Sequence, residues 1–150
     1  MKKHTTTIAI ASDHGGFDMK DFIKTKLINS GYVIVDFGTS NTESVDYPDF
    51  IHPLAKAIND EKYKIGIVMC GSGNGAQITA NKYPNVRAGL CWNVEQAKLT
   101  RLHNNANILA LPGRFVPMDE AWEIVNMFLS TDFEGGRHIK RVEKISQILR

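Results

Sequence analysis

Cys70 is followed directly by Gly71-Ser72-Gly73-Asn74-Gly75, so a potential nucleophile or base opens a loop with three glycines in five positions. Glycines at alternate positions let successive backbone N–H groups turn toward one point, and a helix starting after the loop would add its positive end. Such a loop attracts an anion and favours the thiolate, the form a proton-abstracting cysteine requires. A second chemistry-bearing segment is Ser12-Asp13-His14-Gly15-Gly16, with an acid and an imidazole side by side. His103 offers a titratable group near neutral pH, with Asn104 next to it. Arg137 and Arg141 stand four apart, a spacing that lets two guanidinium groups share a phosphate, and Arg114 is a third candidate.

Each feature also has an ordinary use. Free cysteine is among the most buried residue types, aspartate commonly caps helices, and surface arginine is usually solvated. Two rival chemistries compete as well. Gly71, Gly73 and Ala76 match the dinucleotide fingerprint G-x-G-x-x-G/A, which expects an acid about 20 residues later. That region reads Leu90-Cys91-Trp92-Asn93, so the ribose anchor is missing. A cysteine phosphatase would need an arginine in the loop, and the first arginine after Cys70 is Arg87.

The elements that must position these residues follow from the hydrophobic pattern. The short apolar runs Ile8–Ala11, Tyr32–Asp36, Ile65–Met69, Arg87–Cys91 and Ile108–Leu111 alternate with segments of helical period, the pattern of βα units around a parallel sheet. Runs this continuous predict strands covered on both faces. Phe22, Ile23 and Leu27 form one helical stripe, and Ala121, Ile124, Val125 and Phe128 another. Gly31 is placed to close the first helix, and Asn93 with Gln96 to open the one carrying His103. A last helix over Arg137–Leu149 sets Ile139, Val142, Ile145 and Leu149 opposite Arg137, Arg141 and Lys144, after a Gly135-Gly136 hinge. Ligands of open α/β sheets bind beyond the carboxyl ends of the strands, where Asp13 and Cys70 fall.

Composition bounds the rest. A chain of 150 residues, 43% hydrophobic and 23% charged, fits a single domain over residues 1–150. A net charge of +2 leaves no broad footprint for nucleic acid or an anionic membrane, so the expected partner is a small anion. The polar start and the short run Ile8–Ala11 fit neither a secretory h-region nor a membrane span. A cytoplasmic location with both cysteines reduced is expected. Cys70 and Cys91 lack metal-ligand spacing with the five histidines, so no metal is expected.

Taken together, Ser12-Asp13-His14-Gly15-Gly16, Asp46-Tyr47-Pro48, the Cys70–Gly75 loop, His103-Asn104-Asn105-Ala106-Asn107 and Glu134-Gly135-Gly136-Arg137-His138 with Arg141 resemble the type B ribose-5-phosphate isomerase family. That family includes galactose- and allose-6-phosphate isomerases, and the resemblance spans nearly the whole chain. It implies an α/β, Rossmann-like αβα sandwich with a five-stranded parallel sheet and a C-terminal helix. It implies aldose–ketose isomerisation of ribose 5-phosphate and ribulose 5-phosphate through an enediolate, with no cofactor and no metal. A six-carbon sugar phosphate, or a non-catalytic sugar-phosphate binding module, are the alternatives. By resemblance, Cys70 is the base, Ser72 keeps the hydroxyl of a catalytic position where some relatives carry threonine, and Gly71, Gly73, Asn74 and Gly75 complete the oxyanion cradle. His103 and Asp13 open the sugar ring, while His14, Tyr47 and Asn104 contact the substrate. Arg114, Arg137 and Arg141 grip the phosphate, in a homodimer or homotetramer whose sites draw on two subunits.

Overall fold

The computed structural model describes residues 6–147. Five strands, β1 (Thr7–Ser12), β2 (Val33–Asp36), β3 (Ile65–Cys70), β4 (Ala88–Leu90) and β5 (Ile108–Pro112), form one sheet in the order β2-β1-β3-β5-β4. All pairings are parallel, with Ile10 opposite Ile67 and Cys70 opposite Pro112. The helices are α1 (Phe17–Asn29), α2 (Tyr47–Asn59), α3 (Asn74–Ala80), α4 (Val94–Asn104), α5 (Met118–Ser130) and α6 (Ile139–Ile145). The expected five-stranded αβα sandwich is therefore present. The order in which strands are added reverses between β1 and β3, and in such folds the carboxyl ends of the strands at this switch point flank the ligand crevice. No helix among the described residues is long and apolar enough to cross a membrane.

Side-chain alternation divides the core in two. Ile8, Ile10, Ile67, Met69, Leu109 and Leu111 pack with Met19, Ile23 and Leu27 of α1 and Ile124, Val125 and Phe128 of α5. The opposite face presents Ala9, Ala11, Val68, Cys70 and Ala110 to Ile51, Leu54 and Ile58 of α2 and Ala76 and Ala80 of α3. Bulky residues point one way and mostly small ones the other, so α2 and α3 approach their face closely. At Gly66 a methyl group would stand 2.8 Å from the Leu54 side chain.

The local signals act as their residue types dictate. Gly31 adopts φ +92° just after α1, and Tyr32 N–H donates to the Leu27 carbonyl, a left-handed helix stop. Asn93 accepts the Gln96 N–H at 2.9 Å, and the Gln96 side chain accepts from the N–H of Trp92. The last helix is shorter than expected: a 3-10 turn, Gly136–His138, precedes α6, so Arg137 lies outside the helix proper. Gly135 and Gly136 take φ of +73° and +56°, a fixed left-handed turn where the sequence suggested a hinge. Leu149 falls outside the described residues, and α6 buries none of its side chains.

One anchor escaped the sequence reading. Lys20, 1% exposed, bonds Asp36 Oδ1 at 2.7 Å and the Thr39 carbonyl, while Asp36 also accepts from Gly38 N–H and Lys24. The cluster ties α1 to the end of β2 and the segment leading to α2. Burial raises the Asp36 carboxyl, but the bonds from Lys20, Gly38 and Lys24 outweigh it and hold it below the usual carboxylate range. A depressed carboxylate adds stability above its unfolded pKa, and this is lost as pH falls through the folded value. Asp36→Ala should therefore cost about 3 kcal/mol at neutral pH by stranding the Lys20 ammonium. That cost should shrink below about pH 4, where the unfolded carboxyl also protonates. Urea midpoints across this pH range check both statements, and a pH-independent loss would contradict the ion-pair account.

Candidate active site

Three strand ends meet at the carboxyl edge of the sheet. A methyl group on Gly15, after β1, would lie 3.1 Å from the Gly71 nitrogen. One on Gly113, after β5, would lie 3.0 Å from the Gly15 carbonyl oxygen and 3.2 Å from that of Cys70. Gly113 N–H donates to the Cys70 carbonyl and Arg114 N–H to the Gly71 carbonyl, which locks the three loops together. Side chains larger than hydrogen would push them apart.

Cys70 is the last residue of β3, one position later than the apolar run suggested, and it is 4% exposed on the α2–α3 face. The chain then turns through Gly73, which takes φ +78° and caps α3. Among the described residues, the N–H groups of Gly71, Ser72, Gly73 and Gly75 donate to no protein acceptor, whereas Asn74 N–H meets Ser72 Oγ at 3.3 Å. Free donors beside a thiol are suited to hold a developing oxyanion. The helix that follows has only seven residues, so the loop amides, rather than the expected helix end, carry the positive field.

Further candidates surround this loop. The Arg114 guanidinium lies over Gly15 and Gly71, 3.2 Å from where a Gly71 Cβ would stand. The Tyr47 ring covers Gly75 more closely still, 2.5 Å from where a Gly75 Cβ would stand. Asp13 caps the turn after β1, accepting the Gly16 N–H on Oδ1 at 3.1 Å. The structural and functional readings of Asp13 are thus compatible, because one carboxylate oxygen suffices for the cap. His14 Nδ1 accepts from Val45 N–H at 3.1 Å, which places its ring proton on Nε2. The hydroxyl of Ser12 is buried without a hydrogen-bond partner. Cys91, by contrast, is sealed in the opposite core, where burial pushes its thiol up to about 12.

The remaining candidates gather elsewhere. His103 and Asn104 end α4, which runs back against the strands, and Asn107 pairs with Gly66 at the start of β3. They therefore occupy the amino edge of the sheet. At about 3.3 Å per residue, β5 alone separates the two edges by about 13 Å. His103, Asn104, His138 and Arg141 line one cavity of about 340 Å³, with Val142 and Ile145. Arg137 sits exposed in the adjoining turn. The chain thus brings Asp13, His14, Tyr47, Cys70, the glycine loop and Arg114 together, and holds His103, Asn104, Arg137 and Arg141 apart from them.

Two residues of the second group had no assigned role. The His103 and His138 rings stack at 4.4 Å with an 18° tilt, and Glu134 Oε2 lies 3.2 Å from His138 Nε2 and 3.8 Å from His103 Nε2. The potential ligand atoms of this trio fall within 4.8 Å of one another, the spacing of a metal site. Stacked rings, however, hold their in-plane lone pairs in two nearly parallel, separated planes, so both cannot point at one ion at about 2.0–2.1 Å. The Glu-Gly-Gly-Arg-His motif gave a signal for both residues, but one that periodicity could not decode.

Comparison with known proteins now decides the family. The model of the Ribose/Galactose Isomerase family matches residues 8–145. This chain belongs to the ribose/galactose isomerase family. It is 40% identical over 141 residues to ribose-5-phosphate isomerase B of Escherichia coli, covering 94% of this chain and 95% of that one. The crystal structure of a ribose 5-phosphate isomerase from Thermotoga maritima superposes with a TM-score of 0.94 at 46% identity, covering 97% of this chain and 100% of the other. Ribose-5-phosphate isomerase B from Mycoplasma genitalium, solved with bound ribulose-5-phosphate, gives 0.91 at 39% identity over 95% of each chain.

The glycine loop supplies a test of this geometry. At Gly73 a Cβ would stand 2.5 Å from the Leu90 side chain and 3.0 Å from the Leu111 backbone, at a positive φ. Gly73→Ala should cost about 1–2 kcal/mol from the left-handed conformation alone, lowering Tm by roughly 5 °C. The displaced loop should also expose Cys70, so iodoacetamide labels it faster than in the unmodified protein while Cys91 stays protected. Unchanged labelling would show that the loop tolerates a side chain there.

Proposed function

We propose that this chain interconverts ribose 5-phosphate and ribulose 5-phosphate in the cytoplasm, in a homodimer or higher homo-oligomer whose sites combine the two edges of the sheet from different subunits. The reading rests on one observation: a thiol beside free loop amides at one edge, and an imidazole beside arginines at the other. Each half is incomplete alone. The family membership and the activity named for the Escherichia coli, Thermotoga maritima and Mycoplasma genitalium relatives support the same reaction.

The chemistry divides along the same line. His103 donates a proton to the ring oxygen of the cyclic sugar while Asp13 accepts one from the anomeric hydroxyl, which breaks the ring C–O bond and yields the aldehyde. The Cys70 thiolate then removes the proton on C2. The electron pair moves into the C1–C2 bond, and the negative charge that develops on O1 is held by the N–H groups of Gly71 to Gly75, with the Ser72 hydroxyl beside them. Return of the proton to C1, with transfer of the hydroxyl proton from O2 to O1, gives the ketose. His14, Tyr47 and Asn104 position the sugar. Arg114 from one subunit and Arg137 and Arg141 from the other hold the phosphate, whose binding energy orients the reacting carbons.

Subunit mixing tests the shared site. Cys70→Ala and His103→Ala should each reduce isomerisation of ribose 5-phosphate by a hundredfold or more, on the order of what acid–base groups contribute. When the two variants exchange subunits, one class of mixed site regains both groups, so activity should recover to roughly a quarter of the unmodified level per subunit. Hybrids demonstrated by mass spectrometry that remain inactive would overturn the shared-site arrangement.

A further inference from the structure

We propose that Glu134 and His138 are positioning residues that fix the imidazole of His103 for ring opening, an inference that rests on the role assigned to His103 above. His103 lies on the last turn of α4 with 38% of its side chain exposed, a setting in which an unsupported imidazole samples several rotamers. Here its face is covered by the ring of His138, 4.4 Å away and 18° from parallel.

His138 is a rigid support. It is 5% exposed, and its N–H donates to the Gly135 carbonyl at 3.1 Å, closing the turn that the positive φ of Gly135 and Gly136 makes possible. The glycines of this motif therefore aim His138 inward, under His103. Its Nε2 is buried and makes no hydrogen bond, with Glu134 Oε2 3.2 Å away as its charged neighbour.

Glu134 completes the support. Its N–H donates to the carbonyl of Leu102, the residue before His103, so the 3-10 turn is fastened to the last turn of α4. Its carboxylate faces Nε2 of both rings. At 3.8 Å from His103 Nε2, beyond hydrogen-bond reach, the ionised carboxylate acts through its charge and favours a proton on that nitrogen, so the proton given to the ring oxygen leaves from Nδ1 of the imidazolium and the ring is left as the Nε2–H tautomer. The other charged groups around His103 are Arg141 of α6, which lines the same cavity, and Arg137 of the turn. Arg101, on α4 itself, is committed to the carbonyls of Thr131 and Ala106. A carboxylate beside two phosphate-binding arginines weakens anion binding. Its presence calls for another role, and the imidazole it faces supplies one.

The experiment compares turnover from ribose 5-phosphate, mainly cyclic, with turnover from open-chain ribulose 5-phosphate in His103→Ala, Glu134→Gln, His138→Ala and His138→Phe. Nitrogen-15 spectra of the His103 ring are recorded for the same proteins, His103→Ala excepted. Glu134→Gln and His138→Ala should lower kcat from ribose 5-phosphate by roughly tenfold or more, with a smaller loss from ribulose 5-phosphate and little change in KM. Their His103 signals should shift from the Nε2–H tautomer to a mixture, and His138→Phe, which keeps a flat ring under His103, should recover much of the lost rate. If His103→Ala shows the substrate split while Glu134→Gln and His138→Ala match the unmodified protein, the positioning role is refuted and the ring-opening role stands. If His103→Ala loses both substrates equally, the ring-opening role falls, and with it the functional half of this inference. An unchanged His103 tautomer in both variants would refute the structural half as well.

Discussion

In a parallel sheet built from βα units, the end of a strand and the end of the following helix lie at opposite edges. Every strand here obeys that geometry, so Cys70 and His103 cannot meet within one chain however the loops are arranged. The carboxyl edge holds groups suited to carbon acid chemistry, and the amino edge holds groups suited to oxygen protonation. Neither set could migrate to the other edge without changing the topology. The proposed mechanism, which draws on both sets, therefore needs two chains to bring them together.

The carboxyl edge has a second constraint. Three loops, from the ends of β1, β3 and β5, approach so closely that a Cβ at Gly15 or Gly113 would stand 3.0–3.3 Å from its neighbours and force them to shift. Arg114 lies over the glycine loop, and among the described residues the amides of Gly71, Ser72, Gly73 and Gly75 have no protein acceptor. The same glycines thus perform a packing task and a chemical one. A free amide costs stability when it is buried away from water, so these donors call for an oxygen from water or substrate.

Much of this was legible in the sequence because the signals were local. Continuous Ile and Val runs announced a sheet covered on both faces, and Gly31 and the Asn93–Gln96 pair marked helix ends within a few residues. The Cys70 loop and the Asp13 turn were legible because glycine spacing reflects backbone conformation directly. What remained hidden depended on contacts between distant segments. The strand order, with β5 placed between β3 and β4, follows from packing of α4 and α5 that no window of sequence contains. Lys20 looked like one more helical lysine, since its burial depends on Asp36 and Thr39 arriving from another loop. The division of the candidate residues between two edges was equally invisible, because residue type says nothing about which end of the sheet a residue occupies.

Glu134 and His138 show how a motif can be visible and still undeciphered. The two glycines between them suggested flexibility, yet both adopt left-handed conformations that turn the chain sharply and bring His138 beneath His103. A flexible hinge and a tight left-handed turn are written with the same residue, because glycine serves both by lacking a side chain. The difference lies in what the turn delivers. Here it delivers a buried ring to one face of an exposed one, with a carboxylate at the edge of both. The amino-edge cluster is therefore organised within the single chain, and the proposed two-subunit site would lose less conformational entropy on forming because of it.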